Sequence, residues 1–127
     1  MSFEKILLVD DEDELLSTIE NYLKPRGYTV LVAHSGREAL KKAMECPDLI
    51  FLDILMPDMD GFEVLAKLRK DPDTVNTPII MLTARTEPEF IRQSQELGAN
   101  DFIAKPASLE KLLEVIKKWI SMDSRNG

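Results

Sequence analysis

Four short apolar runs in this chain stop abruptly on residues that can carry charge or share a proton. Lys5-Ile6-Leu7-Leu8-Val9 runs into Asp10 and Asp11, and Leu49-Ile50-Phe51-Leu52 ends on Asp53. Pro78-Ile79-Ile80-Met81-Leu82 ends on Thr83, and Asp101 to Ala104 is followed by Lys105 and Pro106. If these ends meet, three carboxylates share a space with one hydroxyl and one ammonium. Two carboxylates about 4 Å apart repel by roughly 4 kcal/mol at an effective dielectric near 20. Such a cluster raises its own pKa values unless a cation neutralises it. An all-oxygen donor set suits a hard ion, and Mg²⁺ is the one this chemistry selects. A carboxylate beside Mg²⁺, a lysine and a hydroxyl forms a site for a tetrahedral dianion, with the positive charges offsetting phosphoryl oxygens. The carboxylate then serves as nucleophile and becomes an aspartyl phosphate. Each residue also has an ordinary structural reading. Asp10 and Asp11 complement a helix dipole, Asp53 ends a strand, Thr83 sits in a turn, and Lys105 is a solvated charge. Their joint occurrence is what singles them out.

The elements that must position them follow from periodicity. The apolar runs are strands, with Tyr28 to Ala33 as a further β-branched one. Leu15, Leu16, Ile19 and Leu23 recur at helical spacing until Pro25 and Gly27, and Ala39, Leu40, Ala43 and Met44 form a second inward face before Pro47. Phe62, Leu65 and Leu68 mark a third helix starting near Asp60 and ending before Asp71-Pro72. Phe90, Ser94 and Leu97 mark a fourth that stops at Gly98, and Leu109, Leu112, Leu113, Ile116 and Ile120 mark a fifth. Ser35 with Glu38 and Thr86 with Glu89 have capping-box spacing, and Ser108 is placed to cap the last helix. Five strands alternating with five helices predict an α/β fold, a doubly wound parallel sheet covered on both faces. In such a sheet the C-terminal strand ends open onto one crevice, which brings Asp10, Asp11, Asp53, Thr83 and Lys105 together.

Composition bounds what that crevice serves. At 127 residues the chain is one domain with a real core, and its 44% hydrophobic and 31% charged content is ordinary for a globular protein. A net charge of -7 argues against direct binding of nucleic acid, which needs a basic patch. The single cysteine, Cys46, excludes an internal disulfide. No stretch has the length of a membrane span or the character of a signal peptide, so the expectation is a cytoplasmic protein with no membrane partner.

Taken in order, Val9-Asp10-Asp11, the D-x-x-M-P-D-M-D-G that begins at Asp53, Thr83-Ala84 and Lys105-Pro106 resemble the motifs of bacterial response-regulator receiver domains, the CheY-like family. The resemblance covers nearly the whole chain, from about Lys5 to Ile120. It implies a flavodoxin-like (βα)5 fold with strand order 2-1-3-4-5. It also implies a phosphoacceptor switch of a two-component phosphorelay that takes phosphoryl from a sensor histidine kinase or phosphotransfer protein. The changed surface then regulates a downstream protein target. On this reading the chain is a self-catalysing substrate and not a metabolic enzyme. By the same resemblance, Asp53 is the phosphorylation site, and Asp53, Thr83 and Lys105 are the catalytic set. Asp11, Asp53 and the carbonyl of Leu55 are direct Mg²⁺ ligands, with Asp10 acting through water. Thr83 and Phe102 are the switch residues, and the Lys105–Pro106 peptide bond is expected to be cis. Many members carry tyrosine at the position of Phe102, so its role here rests on packing. Ala107 stands where the family usually has phenylalanine. Leu55 and Arg85, two residues after Asp53 and Thr83, flank the path of an attacking water. Residues 1–121 are then the receiver domain and 122–127 a polar tail, with no output domain.

Two rival functions lack their signatures. A haloacid-dehalogenase-type phosphatase carries its nucleophile in a D-x-D after its first strand, whereas the candidate nucleophile here, Asp53, follows the third and begins no such pattern. A flavin-binding domain would carry hydroxyls and glycines there to cradle phosphate, where this chain has five acids, Asp10 to Glu14. A receiver serving only as a scaffold would not need the complete set of acids, threonine and lysine. The remaining polar residues have local readings. His34 is a loop residue, Cys46 a packing or bystander thiol, Asp58 and Asp60 a turn and a cap, and Glu12 to Glu14 dipole partners. Val115, Trp119 and Met122 form a second stripe on the last helix, either core edge or a partner surface.

Overall fold

The computed structural model describes residues 4–124. Strands β1 (Lys5–Val9), β2 (Thr29–Ala33), β3 (Leu49–Leu52), β4 (Ile79–Thr83) and β5 (Asp101–Ala104) form one parallel sheet in the order β2-β1-β3-β4-β5. Between and after them lie α1 (Asp13–Leu23), α2 (Gly36–Lys42), α3 (Gly61–Lys70), α4 (Pro88–Glu96) and α5 (Leu109–Ser124). The fold is the doubly wound α/β one that the alternation predicts, in the flavodoxin-like strand order that the resemblance implies.

The central strands are apolar throughout because both of their faces are covered, and strand side chains alternate between them. Leu7, Val9, Ile50, Leu52, Ile79 and Met81 point to one face, where they bury Ala39 of α2 and Phe62, Val64, Leu65 and Leu68 of α3. Ile6, Leu8, Leu49, Phe51, Ile80, Leu82 and Ile103 point to the other, against Leu16, Ile19 and Leu23 of α1 and Leu112, Val115 and Ile116 of α5. Val115 is therefore core, not part of a surface stripe. Trp119 packs at the margin of the same core and its Nε1–H donates to Asp101 Oδ2 at 3.2 Å. The side chain of Met122 lies outside the described residues. Helix α5 continues to Ser124, into the stretch read as a polar tail.

Caps account for most helix starts. Ser35 Oγ accepts from Glu38 N, Asp60 Oδ1 from Glu63 N, and Ser108 Oγ from Lys111 N. Asp58, read as a turn residue, reaches across the chain and accepts from the Gly36 and Arg37 amides at 2.9 and 3.0 Å, so the β3–α3 loop caps α2. The Thr86–Glu89 box does not form. Helix α4 starts instead at Pro88, with Glu87 as an extended N-cap whose carboxylate is paired with Arg85. Met44 is 62% exposed rather than inward. The α2 spiral tightens after Lys42 into a 3-10 turn over Ala43–Glu45, which keeps Ala43 inside and swings Met44 out. Cys46 follows, exposed and left-handed at φ 58°.

Gly61 is where the fold and the site touch most closely. Its amide donates to Ile54 O at 2.6 Å, and a Cβ there would lie 2.2 Å from the carbonyl oxygen of Asp53. Backbone cannot rotate away as a side chain can. Gly61→Ala is therefore expected to destabilise the protein by about 2 kcal/mol in urea denaturation. A wild-type midpoint would show that the loop after Asp53 yields freely.

Candidate functional site

The parallel register aligns the ends of the central strands. Val9 pairs with Leu52 and Ala33, Leu52 with Met81, and Thr83 with Ala104. The ladder runs one residue further: Asp10 N donates to Ala33 O, Asp53 N to Val9 O, and Lys105 N to Thr83 O. Asp10 and Asp53 therefore leave adjacent strands at the same level, with no freedom to separate.

Lys105 binds them together. Its Nζ lies 2.6 Å from Asp10 Oδ2, 2.9 Å from Asp53 Oδ2 and 3.0 Å from Glu12 Oε1. The Asp10, Asp53 and Lys105 side chains are only 5%, 8% and 13% exposed, whereas that of Glu12 is 61% exposed. Asp10 Oδ1 accepts from Glu12 N at 2.9 Å, and Asp53 Oδ1 is 3.4 Å from Leu55 N. Burial pushes the Asp10 carboxyl above its ordinary range, more than Lys105 and the Glu12 amide pull it down, and the Asp53 charge adds to the rise. Burial alone would lower the Lys105 pKa. Its bonds to Asp10, Asp53 and Glu12 outweigh that and hold the ammonium well above the usual lysine range. The Asp10 shift reports chiefly its burial, and the Lys105 shift the three carboxylates gathered around one cation.

Asp11 stands on the exposed side, and one carboxylate oxygen each from Asp10, Asp11 and Asp53 lies within 4.8 Å of the others. An all-oxygen, net-negative trio open to solvent on the Asp11 side fits a hard divalent ion. The cleft over it, about 340 Å³, is lined by Asp11, Asp53, Leu55, Thr83, Arg85 and Lys105 among others. Thr83 is fully buried and its Oγ1 accepts from Arg85 N at 3.2 Å. Leu55 is 50% exposed at the rim. Phe102 lies outside the cleft, partly buried against the core beneath α2, α3 and α4. The Lys105–Pro106 peptide is cis.

Several contacts had no clear signal in the sequence. Glu12, read as a dipole partner, turns its carboxylate to Lys105 instead of capping its own helix. Arg85 lines the cleft, but its guanidinium is held by the Glu87 carboxylate and lies 5.0 Å from the Phe90 ring centroid. That pairing raises Arg85 and lowers Glu87 from their ordinary pKa ranges. Ala107, where a larger residue was expected, lines an apolar pocket of about 390 Å³ with Leu15, Leu82 and Leu112. His34 pairs with Asp13 and Glu38 on the surface.

Asp53→Asn keeps an oxygen for Lys105, loses only the long Leu55 contact and deletes one charge from the crowd. The metal-free variant should be more stable at neutral pH by on the order of 1 kcal/mol. A carboxyl whose folded pKa is raised loses stability as pH rises through the window between the unfolded and folded values. Asp10 is such a group, and the Asp53 charge helps to raise it. The gain should thus be full above the raised Asp10 pKa and shrink as pH falls toward the ordinary 3.8. Urea titrations in EDTA across pH check this; a less stable variant at neutral pH would refute the crowding argument.

Comparison with known proteins bears on the whole chain. The family model for the response regulator receiver domain matches residues 6–117. The alkaline phosphatase synthesis transcriptional regulatory protein PhoP of Bacillus subtilis is 47% identical over 107 residues, 83% of this chain and 43% of that one. The transcriptional regulatory protein CpxR of Escherichia coli is 42% identical over 113 residues, 89% of this chain and 47% of that one. The chain thus spans about half the length of the curated relatives it matches. A CheY-like receiver domain protein from Methanospirillum hungatei superposes with a TM-score of 0.94 at 33% identity, covering 99% of this chain and 100% of that one. The receiver domain of a Pseudomonas aeruginosa sensor histidine kinase has a TM-score of 0.86 at 30% identity, covers 94% of this chain and 99% of its own, and was solved with magnesium coordinated in its active-site cleft.

Proposed function

The chain belongs to the response regulator receiver domain family, and from that premise we propose that it is switched by transfer of a phosphoryl group onto Asp53. The observation that carries this is the Asp53 carboxylate, almost wholly shielded from water yet opening on the cleft, with Lys105 2.9 Å from one of its oxygens. A sensor histidine kinase or phosphotransfer protein is the proposed donor. A carboxylate oxygen of Asp53 forms a bond to phosphorus as the phosphorus–nitrogen bond to the donor histidine breaks, and the electron pair stays with the imidazole. Lys105 supplies N–H to the phosphoryl oxygens, and the fixed strand ends hold the carboxylate in line. Thr83, which lines the cleft and whose hydroxyl oxygen accepts from Arg85 N, is the proposed hydroxyl donor to the incoming group. The chain is a self-catalysing substrate rather than a metabolic enzyme, acting in the cytoplasm on a downstream protein that reads its changed surface.

Asp11, Asp53 and the Leu55 carbonyl are the proposed direct holders of Mg²⁺, with Asp10 through water. When bound, the ion would neutralise the acids and the charge on the transferred oxygens.

Incubation with acetyl phosphate and Mg²⁺ should add one phosphate by intact mass, abolished by Asp53→Asn and strongly reduced in EDTA. Full labelling of Asp53→Asn would sink the assignment. The lifetime of the adduct is a separate matter. Leu55, half exposed at the rim, has no donor or acceptor with which to orient water, and Arg85 is engaged by Glu87 and cannot act as a base. Leu55→Asn should speed loss of phosphate by about tenfold, equivalent to about 1.4 kcal/mol. Dephosphorylation after removal of the donor measures it, and an unchanged rate would mean that position 55 does not gate water.

A further inference from the structure

We propose that Glu12 is a positioning residue for the phosphoryl-transfer reaction: it holds the third N–H of Lys105 and must release it when phosphate arrives. The inference rests on the reading of Asp53 given above. A lysine ammonium has three donors and no acceptor. Here Asp10, Asp53 and Glu12 take one each, at 2.6, 2.9 and 3.0 Å. No donor remains for a phosphoryl oxygen, so one carboxylate has to give way.

Exposure decides which. Asp10 and Asp53 are nearly cut off from solvent, so water cannot take the place of the lysine at either carboxylate. Glu12 is 61% exposed, so water replaces the lysine as soon as it leaves. Its placement is not incidental. The Glu12 amide is fixed by Asp10 Oδ1, and its side chain makes no cap bond to α1, although Glu12 is the N-cap residue. The side chain lies along the wall shared by the polar cleft and the apolar pocket beside it, and lines both together with Lys105. Glu12 therefore keeps Lys105 directed between the acids in the resting state and competes with the phosphoryl group for it. Because it caps nothing, Glu12→Gln removes the competing charge without removing a helix cap.

The test is the rate of phosphate uptake from acetyl phosphate in Mg²⁺, followed by intact mass, for the native chain, Glu12→Gln, Lys105→Ala and the double variant. Asp13→Asn serves as a nearby exposed acid that does not touch Lys105. Glu12→Gln should take up phosphate about threefold faster, the scale of one exposed ion pair. It should have no effect in the Lys105→Ala background, and Asp13→Asn should leave the rate near native. An unchanged or slower Glu12→Gln would overturn the proposal, as would equal acceleration with and without Lys105, which would mean general repulsion of the donor. If Lys105→Ala does not fold, acceleration by Asp13→Asn equal to that by Glu12→Gln overturns it in the same way. No uptake by the native chain, or uptake retained in Asp53→Asn, would instead remove the reading of Asp53 on which the proposal stands.

Discussion

The structure turns on one ammonium group set among more carboxylates than it can neutralise. Lys105 reaches Asp10, Asp53 and Glu12 at once, and Asp11 stands close by without touching it. Removing charges from water costs more than a single pair returns unless every partner is satisfied. Among the described residues, no buried side-chain polar atom lacks a partner, so hydrogen bonding is complete while charge is not balanced. A site in this condition favours whatever brings positive charge. It also gains by any rearrangement that gives the acids more room.

The fold denies them that room. Asp10 and Asp53 are fixed by the register of adjacent strands, and Asp53 is wedged further by Gly61, whose backbone lies against its carbonyl. Asp58 ties the loop after Asp53 to the start of α2. The opposite rim of the sheet shows how a buried cation is housed when nothing is meant to change. There the half-buried Arg69 guanidinium donates to the carbonyls of Gly98, Thr74, Val75 and Thr77 and to Asn100 Oδ1, all neutral acceptors. Among the described residues, no carboxylate pairs with Arg69. The two rims use the same backbone scaffold for opposite purposes: one is a clamp, the other a store of repulsion.

Most of this was legible in the sequence because it rests on local patterns. Apolar runs on β1, β3 and β4, the caps at Ser35, Asp60 and Ser108, and the acids, threonine and lysine at strand ends are each readable within a few residues. What escaped depends on geometry between distant segments. Asp58 has the composition of a turn residue, and only the folded chain brings it to an α2 terminus more than 20 residues earlier in sequence. Glu12 looks like any first-turn acid, and its partner lies 93 residues away. Met44 was misplaced because periodicity at 3.6 residues per turn was extended through a segment that tightens to a 3-10 turn. Thr86 and Glu89 carry the spacing of a cap, but Pro88 fixes the start of α4 and Arg85 claims the Glu87 carboxylate. Patterns identify which residues can act, and competition between partners decides which ones do.

Repulsion stored at one rim matters only if some neighbouring element can respond, and the helices differ in how firmly they are held. Helix α3 buries Gly61, Phe62, Val64, Leu65 and Leu68, whereas Ser94 alone is fully buried in α4. The start of α4 has no side-chain cap; it is held by the Arg85–Glu87 pair and by Phe90 against Phe62. Exposed ion pairs contribute little and are screened by salt, so this junction is weakly held. Arg85 belongs to both sides of it. Its amide is bound by the Thr83 hydroxyl oxygen inside the site, while its guanidinium holds the helix outside. The Thr83 hydroxyl thus bonds the same residue whose guanidinium holds the start of α4. The segment from Ala84 to Glu89 is exposed or half-buried and enters α4 without a side-chain cap, whereas β4 beneath it is buried throughout.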